Sequence, residues 1–187
     1  MRKLPENLEN PIDNQIISLY TKDFMDKLHA LNVTPNMITT VGNIFRGLSV
    51  YFLFKGQKLY FVVLYILGYL CDCLDGHYAR SYGMTSEFGD FYDHASDIIF
   101  YLALLYYIFF KSSLVDSPQY KYVIAAFALC VFLMFVHLGC QQIYFGGTGE
   151  YMDTCQNLCG GVEWLDWTKY FGCGTHIGLT SLLAFIF

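Results

Sequence analysis

The sequence predicts an all-α integral membrane protein: a polytopic helix bundle of about four to six transmembrane helices, preceded by an amphipathic surface helix. Three observations carry that prediction. Of 187 residues, 55% are hydrophobic and only 14% charged, against about 25% charged in ordinary soluble domains. Four apolar stretches, 37–54, 59–79, 91–110 and 122–145, approach the ~20 residues that cross a bilayer. A periodic apolar pattern, too polar to cross, precedes the first of them. Aromatic residues at 19% exclude a disordered chain, and 16 Gly beside 4 Pro exclude a collagen-like repeat. A formal net charge of −5 argues against a nucleic-acid partner, whose binders present a basic face.

In chain order, Ile12, Ile16, Leu19, Tyr20, Phe24, Leu28 and Leu31 recur at helical spacing. Asp13, Lys22, Asp23, Asp26 and Lys27 occupy other faces. This reads as one amphipathic helix, lying on the membrane surface or packed on another element. Residues 1–33 are therefore an interfacial segment, and 34–187 the transmembrane domain. The first 36 residues mix charges of both signs and lack the apolar core of a signal peptide, so a later helix is expected to drive insertion. Asn32-Val33-Thr34 fits a glycosylation sequon, an incidental match next to Pro35 and the membrane.

Lys55-Gly56-Gln57-Lys58 is a short polar turn that makes the first two spans antiparallel neighbours. Lys111 to Lys121, with Pro118, is the next loop on that side. Residues 146–175 mix Gly, Cys and acids without a periodic pattern, and the last apolar run, 176–187, is short for a span. Lys and Arg divide almost evenly between the two sides, so the positive-inside rule does not orient the bundle. Seven cysteines, four of them inside apolar runs, do not form a disulfide framework. Cys155-x3-Cys159 with Cys173 and His176 offers zinc donors at a spacing no common knuckle uses; a disulfide or free thiols are the alternatives.

The informative stretch runs from Cys71 to Asp97. It holds Asp72, Asp75, Glu87, Asp90, Asp93 and Asp97, and its only Lys or Arg is Arg80. At about 1.5 Å per helical residue, Asp72 and Asp75 lie about 21 and 26 Å from Lys58; Asp97 and Asp93 lie about 21 and 27 Å from Lys111 on the same side. The two pairs come level on antiparallel helices. Their spacings, i,i+3 and i,i+4, put each pair on one face, so four carboxylates converge. Helix ends wetted by solvent would not require that match. Unpaired charge buried in lipid costs several kcal/mol or about that per group, so divalent cations are implied. All-oxygen donors suit Mg²⁺ or Mn²⁺, with Ca²⁺ a competitor, and two such ions fit phosphoryl or pyrophosphate chemistry. Arg46, about 13 Å from Lys55, either answers an acid on a neighbouring helix or binds an anionic acceptor; the first reading is preferred.

Read in full, the stretch is Asp72-x-x-Asp75-Gly76-x-x-Ala79-Arg80, eight residues, Gly89-x-x-x-Asp93-x-x-x-Asp97. It resembles the signature of the CDP-alcohol phosphotransferase family (class-I CDP-alcohol phosphatidyltransferases) at all eight fixed positions. Thr34-Pro35-Asn36, with Thr39 behind it, is similar to the family's lead-in to its first membrane helix. The resemblance covers roughly 34–145. It implies a multi-pass membrane enzyme of phospholipid biosynthesis that moves a phospho-alcohol from a CDP-alcohol to an acceptor hydroxyl, releasing CMP. Asp72, Asp75, Asp93 and Asp97 would hold two Mg²⁺ or Mn²⁺ ions, with Asp97 also the base. Asn36, Gly76, Ala79, Arg80 and Gly89 would seat the nucleotide.

Gly89-Asp90-Phe91-Tyr92-Asp93-His94 resembles the choline/ethanolamine branch, and there His94 competes with Asp97 as base. His137, Gln142, Tyr144 and Gly147-Thr148 loosely resemble that branch too; His77-Tyr78 departs from it, and His77 fits the phosphatidylinositol synthase style. The resemblance implies donors such as CDP-choline, CDP-ethanolamine or CDP-diacylglycerol, a lipid or polar alcohol acceptor, and bilayer lipid around the bundle. It also implies an endomembrane (ER-like) or bacterial inner-membrane site facing the cytoplasm. Members usually have six or more membrane helices. The shortfall leaves open an incomplete C-terminal part, loss of activity, or pairing with another chain, a homodimer included. Two other classes fit an acid cluster at mid-depth: an Asp-rich intramembrane prenyltransferase and a non-catalytic cation-binding or transport protein.

Overall fold

The computed structural model describes residues 4–146 and 153–185. Its backbone is helical, and no strand occurs among the described residues. Two short helices come first, α1 (Pro11–Leu19) and α2 (Lys22–Ala30). The single amphipathic helix expected here is broken at Tyr20–Thr21. Thr21 turns extended and its hydroxyl accepts the Phe24 N–H, starting a new helix, while the Tyr20 hydroxyl donates to the Leu70 carbonyl at 2.6 Å. A capping threonine competes with helix continuation, so the periodicity persists across a corner.

Four long helices follow: α3 (Pro35–Phe54), α4 (Lys58–Tyr82), α5 (Glu87–Phe110) and α6 (Tyr120–Phe145). All four are long and apolar enough to cross a membrane, and this is a polytopic membrane protein. Their starts follow local chemistry. Thr34 caps α3 with proline in the first turn, and Ser86 caps α5 by accepting the Gly89 N–H, with Glu87 and Asp90 in the first turn. That cap extends α5 ahead of its apolar stretch and makes the acidic segment helical. α4 ends at Gly83, whose φ of 66° closes the helix in the left-handed region.

Outward side chains on these helices are Ile44, Leu59, Ile66, Ile98, Leu102, Phe110 and Leu129, which suits contact with lipid. The main core is aromatic: Phe61, Tyr65 and Phe100 stack in sequence at 5.5 and 5.0 Å, beside Leu104, Ile108 and Phe127. α3 and α4 cross where Gly42 and Gly68 face each other. A Cβ on Gly68 would lie 2.7 Å from Cγ of Arg46, so only glycine admits that side chain across α4.

Residues after α6 fold back on the bundle as α7 (Asp153–Gln156), α8 (Leu165–Thr168) and α9 (Cys173–Leu183). Cys159 is disulfide-bonded to Cys140 on α6, and Cys155 and Cys173 stand outside any disulfide. The zinc reading of Cys155, Cys159, Cys173 and His176 therefore fails, because Cys159 is drawn to α6 instead. α9, at 11 residues, is too short to span and buries Ile177 in the main core. The chain's two ends clasp: Asn10 Nδ2 donates to the Lys169 carbonyl at 2.6 Å and to Thr175 Oγ1 at 2.9 Å, and Lys169 Nζ donates to the Asn7 carbonyl at 2.8 Å.

Candidate active site

The α4–α5 hairpin brings the acidic stretch together. Asp72, Asp93 and Asp97 each present a carboxylate oxygen, and these oxygens lie within 4.8 Å of one another. Asp75, one turn beyond Asp72, is buried against α3, where Thr39 Oγ1 donates to its Oδ2 at 2.5 Å. Of the four acids expected to converge, three form the tight group among the described residues and Asp75 stands beside it. α3 supplies the counter-charge. Arg46 Nη2 lies 2.6 Å from Asp72 Oδ1, and Nη1 lies 2.5 Å from Asp97 Oδ1. The preferred sequence reading of Arg46 therefore describes its place, except that it answers two acids on two helices. Removing it would leave both uncompensated, at a cost of about 3–5 kcal/mol.

Whether the group suits a cation is answered by Asp93. Its Oδ1 is buried and has no hydrogen-bond partner, an acceptor with nothing to accept from. Three carboxylates with one orphaned oxygen and no nitrogen or sulfur donor fit Mg²⁺ or Mn²⁺.

The group opens into a cavity of about 350 Å³, within the usual range for small-molecule sites. All the site residues named from the sequence line it: Asn36, Asp72, Asp75, Gly76, Ala79, Arg80, Gly89, Asp93, His94 and Asp97. The small residues leave a wall of backbone. Gly89 lies against Asn36, whose Oδ1 would be 3.0 Å from a Cβ placed there, and the Arg80 guanidinium folds over Gly76. His94 Nδ1 lies 2.7 Å from the Asp90 carbonyl, which can only accept, so the proton sits on Nδ1 and Nε2 is the basic nitrogen of the neutral ring. His137 is buried elsewhere, between Thr168 at 3.2 Å and Gln141 at 3.0 Å. Gln142 is buried, Tyr144 exposed, and neither lines the cavity. Gly147 and Thr148 lie outside the described residues.

The sequence did not point to a wall from the N-terminal segment. Glu9 and Asp13 line the same cavity. Asp13, expected on a polar face, is buried: the Tyr69 hydroxyl on α4 donates to it, and the clasp to residues 169–175 holds α1 alongside. Burial, reinforced by the Glu9 charge and opposed by that hydrogen bond, raises the Asp13 carboxyl to about 7. An acid raised in the fold binds its proton more tightly there than when released. Its contribution is full at acid pH and falls as pH rises from its ordinary value of 3.8 through about 7. Docking of α1 is therefore expected to weaken between about pH 4 and 7. Hydrogen exchange of residues 11–19, corrected for intrinsic rates, should speed up over that interval. Asp13→Asn should flatten the dependence; an unchanged slope would show that another group controls it.

In this all-α membrane bundle one cavity joins the half-buried acid cluster to a glycine-lined wall. The family model for CDP-alcohol phosphatidyltransferase matches residues 32–147, and the chain belongs to that family. A protein of Aquifex aeolicus (strain VF5) described as uncharacterized is 39% identical over 66 residues, 35% of this chain and 34% of its own length. Archaetidylinositol phosphate synthase of Pyrococcus horikoshii is 33% identical over 70 residues, 37% of this chain and 37% of its own. The matches span about a third of each relative's length. No solved structure matches the chain.

Proposed function

We propose that this protein is a divalent-metal-dependent transferase of phospholipid synthesis, moving a phospho-alcohol group from a CDP-alcohol to an acceptor hydroxyl with release of CMP. The observation that carries the reading is the orphaned Asp93 oxygen beside Asp72 and Asp97, at the edge of a cavity walled by Gly76, Ala79 and Gly89. Asp72, Asp93 and Asp97 would hold Mg²⁺ or Mn²⁺, which would supply neutralisation of charge on the diphosphate and on departing CMP. Asp75, fixed by Thr39, lines the same wall. The wall without side chains lets cytidine lie against backbone, with Asn36 Oδ1 within reach of its polar edge. Arg80 meets the diphosphate.

Asp97 has one oxygen engaged by Arg46, whereas His94 turns its basic nitrogen away from the Asp90 carbonyl. His94 is therefore the preferred base toward the acceptor hydroxyl. The Gly89-to-His94 string favours CDP-choline or CDP-ethanolamine with a lipid alcohol acceptor. The relative named as archaetidylinositol phosphate synthase favours a second arm, CDP-diacylglycerol with a polar alcohol.

The test is CMP release by the purified full chain in nanodiscs, given each of the three donors with Mg²⁺ or Mn²⁺ and then EDTA. Metal-dependent CMP release from one donor is expected. Pyrophosphate release from a prenyl diphosphate would favour the prenyltransferase class instead. No CMP from any donor overturns the reading.

A further inference from the structure

Arg46 does more than balance charge. It is 7% exposed, it stands on a different helix from the acids, and its stem passes the notch that Gly68 leaves in α4. Its two terminal nitrogens hold one oxygen each of Asp72 and Asp97, at 2.6 and 2.5 Å. A guanidinium is a planar fork of fixed charge, so this is a rigid cation shared between two carboxylates.

We propose that Arg46 takes the place of a second divalent ion, so that the cluster holds one metal ion and not the two expected from the sequence. The inference rests on the proposed function and counts the cations of its site. With Oδ1 of Asp72 and Oδ1 of Asp97 given to the guanidinium, each residue keeps its other oxygen, and Asp93 keeps its unpartnered Oδ1. Three oxygens are an ordinary protein share for one Mg²⁺ or Mn²⁺, the remaining positions going to water and phosphate. A second ion would need the oxygens that Arg46 holds or those of Asp75, one of which already accepts from Thr39. It would also meet the guanidinium at close range in a medium where like charges repel far more strongly than in water.

The test is the number of Mn²⁺ ions bound per chain, by equilibrium dialysis and electron paramagnetic resonance, in wild type and Arg46→Gln, with and without CDP. Wild type is expected to bind one ion with the spectrum of an isolated Mn²⁺; Arg46→Gln is expected to bind two, with the broadened spectrum of a coupled pair. Two ions in wild type would overturn the role of Arg46 and leave the proposed function standing. No ion in wild type would overturn both. A single ion in Arg46→Gln would show that something other than Arg46 excludes the second. Should that variant fail to fold, the wild-type count decides: one supports the proposal, two or none overturns it.

Discussion

Asp93→Ala is expected to lower CMP release by about 10³-fold or more, the scale on which loss of one preorganised electrostatic contact acts, while the chain still inserts in the membrane. The orphaned Oδ1 explains the size of the effect. Among the described residues no group hydrogen-bonds that oxygen, so its loss would fall on the cation the site is proposed to hold. Stability should move the other way. Three carboxylates within 4.8 Å repel one another when no metal is present, and removing one relieves that repulsion, as is common where function is stored as strain. Thermal unfolding of the metal-free variant should match or exceed wild type. Turnover within tenfold of wild type would remove Asp93 from the metal site.

His94→Ala against Asp97→Asn separates base from ligand. His94→Ala should cost 10²- to 10⁴-fold in kcat, about the contribution of a positioned general base, and leave Mn²⁺ binding intact. Asp97→Asn should weaken Mn²⁺ binding together with turnover. Equal and mild losses in both variants would mean that neither residue takes the acceptor's proton.

How far the site could be read in advance depends on what helical geometry fixes. Rise and periodicity determine depth and face along one helix, so the meeting of Asp72 with Asp93 and Asp97 follows from counting residues from Lys58 and Lys111. They do not determine how a neighbouring helix is rotated. Thr39 and Arg46 reach the acids only because α3 crosses α4 at Gly42 and Gly68, and no local pattern announces that contact. The corner at Tyr20–Thr21 was hidden because the apolar period runs through it. Residues 146–175 were opaque for a different reason. Their arrangement depends on the Cys140–Cys159 link and on partners across the chain, and spacing alone cannot select among such pairings.

The clasp between Asn10 and the residues near Lys169 also bears on biogenesis. Its partners are 159 and 165 positions apart in sequence, so the ribosome must deliver Thr175 before the clasp can close. The membrane hairpins can assemble as they leave the translocon, whereas the wall carrying Glu9 and Asp13 is completed late. Until then nothing ties the wall carrying Glu9 and Asp13 to residues 169–175, and the cavity that holds the acid cluster lacks that support.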